Sequence, residues 1–265
     1  MARMQIATLL TDFGTAGPFV AAMKGMILQV CPRARIIDIS HEIPPHDLLA
    51  GALVLARAIP YFPPNTVHVA VVDPGVGTNR AILVGRYGEQ TVIFPDNGII
   101  SLVERALPLQ DIRLCRNIGN LPQYVSSTFH GRDIMAPLAG DILNGLNIST
   151  LGPRPATYKL FELPTPTVEE NRITGQVMYV DRFGNLTTNI SGELARHIGG
   201  RLNTVTTTCN DKNAGPLVNT YGLVEPNNPL VVFNSTDMIE IAVNQGRADE
   251  HFKAEVGTPV IMVME

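Results

Sequence analysis

The chain has no tryptophan, only three cysteines and few charged residues. The charge balance and the cysteines each exclude a class of protein. Asp, Glu, Lys and Arg make up 17% of the 265 residues, and the formal net charge is −4. Without a basic excess, a nucleic-acid partner is not expected. Cys31, Cys115 and Cys209 are odd in number and far apart, which predicts reduced thiols rather than a disulfide framework. The composition therefore favours an ordinary globular protein from a reducing compartment.

Long hydrophobic runs are also missing. No apolar run reaches the roughly 18 residues that a membrane-spanning helix needs. The first ten residues, MARMQIATLL, enter a strand-like run directly and lack the cleavage pattern of a signal peptide. We therefore expect a cytoplasmic protein that does not contact a membrane.

The first 150 residues alternate between short strand patterns and helical patterns. Several strand patterns are too uniformly apolar to have a solvent-exposed face, which is typical of a parallel sheet that is covered on both sides. The alternation predicts an α/β domain over residues 1–151 with a mostly parallel central sheet. The predicted strands are 4–10, 34–39, 66–73, 80–85, 91–94 and 111–115.

Helices are predicted between these strands. Apolar residues recur at helical spacing from Phe19 to Val30 and again over 48–58. Asp47 is the expected N-cap of the helix at 48–58, and Asn97 is the expected N-cap of a helix at 98–106.

The texture of the sequence changes after residue 151. Residues 152–168 contain four prolines and little periodicity, and repeated proline breaks both helix and sheet, so this segment is predicted to be a linker. Beyond it, short strand patterns separated by turn residues predict a smaller all-β domain, an antiparallel barrel, over 169–265. Only 191–198 has a helical pattern there. The predicted strands are 172–181, 185–190, 202–209, 229–234, 238–243 and 259–264.

Acidic side chains follow several strands of the predicted α/β sheet. Asp12 lies in TDFG, Asp73 in VVDPGVGTNR, and Asp96 with Asn97 in FPDNG. Ligands of such sheets bind outside the carboxyl ends of the strands. One acid there is typical of a turn or a cap, but three in corresponding places predict a binding site.

The histidines and glycines of this half predict neither a metal nor a dinucleotide. His130, in STFHGRD, precedes a helical pattern and, taken alone, is typical of a capping or hydrogen-bonded loop residue. His41 and His46, in SHEIPPHD, are separated by two prolines and fit no helical pair of metal ligands. The GVG of VVDPGVG lacks the third glycine and the following helix of the NAD fingerprint.

The second half contains two polar turns. VDRFGNLTTNI places Asp181 and Asn185 around a Phe-Gly turn, and FNSTDMIEIAVNQG places Ser235, Glu240 and Asn244 along two adjoining strands. Ordinary hairpin turns have the same composition. Alternatively, asparagines and backbone amides at a strand edge bind the hydrogen-bonding edge of a purine.

Seven motifs that follow one another along the chain resemble those of the S-adenosylmethionine (SAM) hydroxide adenosyltransferases, which are SAM hydrolases related to the fluorinases and chlorinases. The resemblance covers about residues 6–246 and implies an α/β N-terminal domain, a β-barrel C-terminal domain and a homotrimer that binds SAM between neighbouring subunits. The motifs are TDFG, DISHEIPPHD, VVDPGVGTNR, FPDNG, TFHGRD, DRFGN with TNI, and NS followed by E, AVNQG.

The resemblance also implies the reaction and the residues that perform it. SAM and water would give adenosine and L-methionine without a cofactor, with Asp73, Arg80 and His130 as the catalytic set. The implied substrate contacts are Asp12 at the ribose, Asp181 and Ser235 near the methionine, Asn185 with the strand from Glu240 to Val243 at the adenine, and Asn97 from the FPDNG motif.

These roles suit the chemistry of a sulfonium. Methionine is a neutral leaving group, so the protein must position water in line with the C5′–S bond rather than stabilise a departing anion. Arg80 is a permanent cation, His130 can accept a proton near neutrality, and Asp73 can orient both the guanidinium and the water.

Three alternatives remain open at this point. A SAM-dependent halogenase would use a halide as nucleophile, but halogenases carry an insertion after the region that corresponds to 73–80. Here TNRAILVG runs directly into the next strand, which favours water. The others are a non-catalytic adenosine- or SAM-binding protein and an NAD-binding enzyme.

Overall fold

The computed structural model describes residues 4–199 and 205–264. The chain divides into two compact units, Met1–Phe161 and Glu162–Glu265. In the described residues, no helix is both long enough and apolar enough to cross a membrane. The first unit contains, in chain order, β1 (Ile6–Thr11), α1 (Phe19–Val30), β2 (Arg35–Ser40), α2 (Leu48–Ala58), β3 (Val67–Val71), β4 (Ile82–Tyr87), β5 (Gln90–Pro95), α3 (Ser101–Ala106), β6 (Leu109–Leu114) and α4 (Ala136–Leu143).

The sheet of the first unit has six strands in the order β2-β1-β3-β5-β4-β6. The pairs β2–β1, β1–β3 and β3–β5 are parallel, whereas β4 pairs antiparallel with both β5 and β6. The α/β class is therefore confirmed, but the sheet is mixed. Only Gly88 and Glu89 separate β4 from β5, and a two-residue loop permits a hairpin but not a parallel crossover.

Helices cover both faces of the central strands. All residues of β1 and β3 are buried. Their alternate residues, including Leu9 and Val69, share a core with residues of α1 and α4, while α2 contacts α3, β1 and β2. This layering leaves the loops that follow β1 and β3 at one edge of the sheet.

The two predicted N-caps have different outcomes. The side chain of Asp47 accepts a hydrogen bond from the backbone N–H of Ala50, so it caps α2 as expected. The prediction for Asn97 is wrong, because α3 begins at Ser101 and its N-cap is Ile100. Asn97 instead closes the preceding turn by accepting from the backbone N–H of Ile99, 3.2 Å away.

The first part of the proline-rich segment lies against the first unit. Pro153 O accepts from the N–H of Leu114, 3.0 Å away, and the N–H of Lys159 donates to Asp96 Oδ1 at 2.7 Å. The division between the units, at Phe161 and Glu162, falls inside the segment 152–168. The predicted domain limits themselves stay a prediction.

In its described residues, the second unit is a curled antiparallel sheet with two α-helices. Its eight strands follow the order β11-β10-β14-β8-β9-β13-β12, with β7 paired to β8. Beside β12, the segment after β11 forms a single parallel bridge, Leu217 to Val231. The elements are β7 (Thr167–Glu169), β8 (Arg172–Val180), β9 (Leu186–Ser191), α5 (Gly192–Gly199), β10 (Val205–Cys209), β11 (Lys212–Asn213), β12 (Pro229–Phe233), β13 (Met238–Val243), α6 (Ala248–Phe252) and β14 (Pro259–Met264).

One secondary-structure prediction for this unit is wrong and one falls partly outside the described residues. Besides α5, the structure contains α6, a five-residue helix that is too short to show a helical period in the sequence. Of the predicted strand 202–209, β10 forms from Val205, and 202–204 lie outside the described residues.

Candidate active site

A cavity of about 250 Å³ lies within the first unit, at the ends of β1 and β3. Its walls come from four segments: the loop after β1, the loop before α2, the loop after β3 and the turn before α4. Two of the three predicted strand-end acids, Asp12 and Asp73, lie here together with His130. The lining residues are Asp12, Phe13, Pro45, His46, Val71, Asp73, Val76, Thr128, Phe129, His130 and Gly131.

Asp73 and Arg80 form a buried ion pair across the loop that follows β3. Arg80 Nη2 lies 2.5 Å from Asp73 Oδ2, and Arg80 Nε lies 2.9 Å from Oδ2 and 3.1 Å from Oδ1. The side chains are only 4% and 7% exposed, respectively. The loop must return on itself to form this pair, and the N–H groups of Val76 and Thr78 bond to the carbonyls of Asp73 and Gly75. The pair is thus held by bonds within its own loop.

Gly77 joins this loop to the one that carries His130. Its φ is +79°, a left-handed conformation that glycine adopts without strain. A Cβ at this position would overlap the carbonyl oxygen of Ser127. Only glycine therefore lets the two loops approach this closely.

His130 completes the charged cluster. Arg80 Nη2 lies 2.9 Å from His130 Nδ1. A guanidinium donates and cannot accept, so Nδ1 is the acceptor and the hydrogen of the neutral ring is on Nε2. Burial, and then the charge of Arg80, lower the pKa of His130 below its ordinary value, while Asp73 and Asp133 oppose this shift. The imidazole is accordingly neutral at pH 7.

The turn that presents His130 is stabilised from behind. Gly131–Met135 form a π-helical turn that continues into α4, a feature often found at functional sites. Buried Asp133 accepts from the backbone N–H of Ser126 at 2.8 Å and from Arg132 at 2.5 Å. Arg132 in turn lowers the pKa of Asp133.

Asp12 occupies another wall of the same cavity. Its side chain is only 8% exposed, and its Oδ2 accepts a hydrogen bond from the backbone N–H of His46 at 2.9 Å. Asp12 and Asp73 give the cavity two carboxylates against one guanidinium, a balance that suits a cationic ligand.

A second cavity, of about 600 Å³, lies within the second unit. Asp181, Asn185 and Val243 from the predicted set line it. The carboxylate of Asp181 accepts from the backbone N–H groups of Phe183 and Asn185 and from the side-chain amide of Asn185, at 2.8, 2.9 and 3.1 Å. The full lining is Asp181, Phe183, Asn185, Tyr221, Val243, Asn244, Gln245, Gly246 and Arg247.

The structure does not bring every predicted residue to a cavity. Asn97 donates from its side-chain amide to Val72 O at 2.8 Å, so it supports the strand end beside Asp73. Ser235 is exposed on the turn between β12 and β13. Neither is among the residues that line the two cavities.

Glu240 is buried and lies beneath the second cavity. Its carboxylate accepts from Tyr221 Oη at 2.7 Å, from Asn234 Nδ2 at 3.1 Å and from Thr187 Oγ1 at 3.4 Å. Since these donors occupy it, Glu240 reaches the cavity only through Tyr221.

Aromatic residues of both cavities were missed in the sequence. Phe13 and Phe129 line the first cavity and meet edge to face, with centroids 5.6 Å apart. Phe183 and Tyr221 line the second. Phe13, Phe129 and Phe183 each lie within two residues of a predicted polar residue, in TDF, TFH and DRF, and this adjacency was the available signal. Tyr221 had none. Among the described residues, no three His, Cys, Asp or Glu are grouped so as to hold a metal ion.

Comparison with known proteins gives consistent matches over most of the chain. The sequence model of the SAM hydroxide adenosyltransferase N-terminal domain matches residues 7–152, and that of the C-terminal domain matches 175–261. The chain is 40% identical to "(R)-S-adenosyl-L-methionine hydrolase" of Salinispora tropica over 90% of each chain. It is 35% identical to the protein of that name from Thermus thermophilus, over 97% of this chain and 99% of the relative.

A solved structure matches the fold of the chain over almost its whole length. The crystal structure of an uncharacterized conserved protein from Thermotoga maritima superposes with a TM-score of 0.91 at 34% identity, covering 97% of this chain and 99% of that one. Fluorinases match at lower identity, such as 26% over 70% of this chain for that of an Actinoplanes species. The chain belongs to the SAM hydroxide adenosyltransferase family.

Proposed function

We propose that the protein hydrolyses SAM to adenosine and L-methionine, and that the first cavity supplies the groups that act on the nucleophilic water. The observation that carries this proposal is the preformed set of Asp73, Arg80 and His130 beside Asp12, in a chain 40% identical to a SAM hydrolase over nine-tenths of its length.

The relatives' name adds a stereochemical detail. "S-adenosyl-L-methionine" already specifies the amino-acid carbon, so the (R) descriptor in the name concerns the sulfonium. We therefore propose the R-sulfonium epimer as the substrate of this chain. Assays with the two separated epimers can test this proposal.

The reaction is a direct displacement. The water oxygen forms a bond to C5′ of the ribose, the C5′–S bond breaks, and its electron pair returns to sulfur to give the neutral thioether of methionine. One proton of the attacking water is released. In-line positioning of the water can supply about 7–11 kcal/mol of the barrier, more than proton removal, which contributes roughly 10²–10⁴-fold.

Asp73 and Arg80 orient the water as a pair. The carboxylate of Asp73 offsets a guanidinium charge that would repel the sulfonium. A carboxylate oxygen has two lone pairs, and Asp73 Oδ1 takes one hydrogen bond from Arg80. Asp73 thus keeps acceptor capacity for the proton that leaves the attacking oxygen.

His130 contributes as a donor in this arrangement. The expectation from the sequence was that His130 accepts a proton, but its Nδ1 is occupied by Arg80 and its Nε2 carries the hydrogen. We assign the Nε2–H to holding the water oxygen, with the proton passing to the Asp73 side.

Recognition of the substrate is divided among other residues. Asp12 suits the ribose hydroxyls because its carboxylate accepts only one backbone N–H at Oδ2. Asp181, Asn185 and Val243, with the rings of Phe183 and Tyr221, form a surface for the adenine and methionine parts. Ser235 remains a candidate contact to methionine on the resemblance alone.

Assembly, location and cofactor requirement stay predictions. The resemblance implies a homotrimer, which light scattering on an eluting size-exclusion peak would test. A cytoplasmic location is expected from the three widely separated cysteines, and independence from cofactors is implied by the resemblance. Activity after exhaustive dialysis against a chelator would test the latter.

The decisive experiment incubates the protein with each SAM epimer in isotopically labelled water at neutral pH. Chromatography should give adenosine and methionine, with label in the 5′-hydroxyl of adenosine. Chloride and fluoride are added in parallel reactions. A halide-dependent 5′-halo product would select the halogenase, and binding without turnover would select the non-catalytic alternative.

A further inference from the structure

The SHEIPPH segment takes no part in the proposed chemistry, yet it holds the loop that carries Asp12. The carbonyl of His41 accepts from the N–H of Gly14 at 2.8 Å, and the N–H of His46 donates to Asp12 Oδ2 at 2.9 Å. Thr15 Oγ1 donates to Glu42 Oε1 at 3.2 Å. The segment therefore contacts the loop both at Asp12 and beyond it.

A buried side-chain pair anchors the near side of Asp12. Thr11 Oγ1 lies 2.9 Å from His41 Nδ1 and accepts from the N–H of Phe13 at 3.3 Å. His41 Nε2 lies 3.1 Å from Asp38 Oδ1, in poor alignment for a hydrogen bond, and Lys24 binds the other oxygen of Asp38. The imidazole of His41 therefore lies between the hydroxyl of Thr11 and the carboxylate of Asp38.

A carboxylate, an imidazole and a hydroxyl in series have the composition of a nucleophile triad. Here that role is excluded by burial, because Thr11 is 0% and His41 5% exposed. Neither side chain lines the first cavity. The series must act on the site through Asp12.

We propose that Thr11 and His41 are positioning residues that fix the carboxylate of Asp12 for the ribose of the substrate. Thr11 is bonded to His41 and accepts from the N–H of Phe13, and the carbonyl of His41 accepts from the N–H of Gly14, so both sides of Asp12 are held. The N–H of His46 donates to the carboxylate of Asp12 itself. Misplacement of a carboxylate that bonds to the ribose distorts those hydrogen bonds and so weakens substrate binding. The inference rests on the proposed function, since it assigns Asp12 to the substrate.

The same strand offers a matched control. Thr8 Oγ1 lies 2.8 Å from His68 Nδ1, and both residues are fully buried. This pair has the chemistry of Thr11 and His41, but it joins β1 to β3, and its side-chain bond lies within the sheet rather than at the loop that carries Asp12. Loss of either hydroxyl leaves a buried imidazole nitrogen unpartnered, so both losses should destabilise the fold similarly.

The experiment compares Thr11→Val, Thr11→Ser and Thr8→Val. Thr11→Val should raise KM for SAM and Kd for adenosine about tenfold, the effect of one hydrogen bond. It should leave kcat unchanged, because ribose binding acts equally on ground and transition states. Thr11→Ser keeps the hydroxyl and should restore both values. Thr8→Val should lower the unfolding midpoint without changing KM or Kd.

A readout without substrate separates this inference from the proposed function. The amides of His46 and Gly14 should exchange hydrogen faster in Thr11→Val and at the wild-type rate in Thr8→Val. If the wild type neither cleaves SAM nor binds adenosine, the proposed function fails, while this exchange pattern still reports whether the pair positions the loop.

Several results would overturn the inference: equal changes in the Thr8 and Thr11 variants, an unchanged KM in Thr11→Val, or no recovery in Thr11→Ser. Should Thr11→Val not fold, Asp38→Asn tests the same series, because the side chain of Asp38 is 40% exposed and its loss is tolerable. A higher KM with faster His46 exchange supports the inference, and wild-type values for both overturn it.

Discussion

The cavity that contains Asp73 and the cavity that contains Asp181 are built by different means. The cavity of the first unit is lined by Asp12, Asp73 and His130, and the last two are both hydrogen-bonded to Arg80. The cavity of the second unit is lined by the exposed rings of Phe183 and Tyr221. The carboxylate of Asp181 there accepts a hydrogen bond from the backbone of its own turn. The paired charges of the first cavity produce a fixed electrostatic field, and the exposed rings of the second cavity provide contact area for a ligand. The first cavity therefore suits chemistry, and the second suits recognition.

The largest effect should come from Arg80→Ala. It removes the donor to both Asp73 and His130, so kcat should fall by roughly 10²–10³ or more, as for loss of one preorganised donor. The unpaired carboxylate of Asp73 should also lower the free energy of unfolding by about 3–5 kcal/mol. Steady-state kinetics and urea unfolding measure the two losses.

The control for that variant is Arg113→Ala. Arg113 binds Asp111 at 3.0 Å, with side chains 21% and 19% exposed, away from the cavity-lining residues. It should keep its kcat. A similar fall in both variants would mean that Arg80 serves only the fold.

A smaller loss is expected for His130→Gln, about 10²-fold in kcat. In the wild type, kcat/KM should be constant above pH 6.5 and fall below the lowered pKa of His130, because protonation places an N–H against the N–H of Arg80. The pH profile of His130→Gln should lack this acid limb. An unchanged limb would assign it to another group.

A change confined to binding is expected for Tyr221→Ala. Stacking of a base on an aromatic ring is worth about 1–3 kcal/mol, so KM should rise roughly 5- to 150-fold while kcat stays the same. Tyr61→Ala is the control, since Tyr61 is 78% exposed and lines neither cavity. A fall in kcat with KM unchanged would contradict the division between the two cavities.

The smallest effect on activity is expected for His68→Gln, although its effect on stability is clear. Burial lowers the pKa of His68 to about 4 from 6.5, so the unfolded chain binds a proton that the folded chain does not. The free energy of unfolding should therefore decrease by about 3 kcal/mol as pH falls from 6.5 to 4. Urea unfolding across this range should show a flatter dependence for His68→Gln, with unchanged kcat at pH 7. Equal slopes would exclude His68 as the source.

The sequence predicts some of this geometry because the signals are local. Asp12 and Asp73 follow buried strands, so the edge they share could be predicted from topology, and α2 could be placed by Asp47. The β4–β5 hairpin could also have been predicted, because the predicted strands 80–85 and 91–94 are separated by too few residues for a parallel crossover. These features are determined by residues that are close together in the sequence, so the residue pattern alone can predict them.

Other features depend on partners that are distant in the chain. Asn97 looks like a cap, but its amide reaches Val72 O. Glu240 looks like a ligand contact, but Tyr221, Asn234 and Thr187 occupy it. A side chain has a limited number of hydrogen-bonding sites, and which partner takes them is decided by the fold. Motif order named these residues without revealing what they touch.

The π-helical turn at Gly131–Met135 has a consequence for how this protein could change. It contains an extra residue relative to a regular helix, which turns about 100° per residue. Deleting one residue there would keep the buried stripe of α4 in register with the sheet, yet swing the imidazole before it a quarter turn or more from the guanidinium. A chain shortened in this way should fold but have no catalytic activity. Deletion of a single residue would then remove the activity and keep the fold.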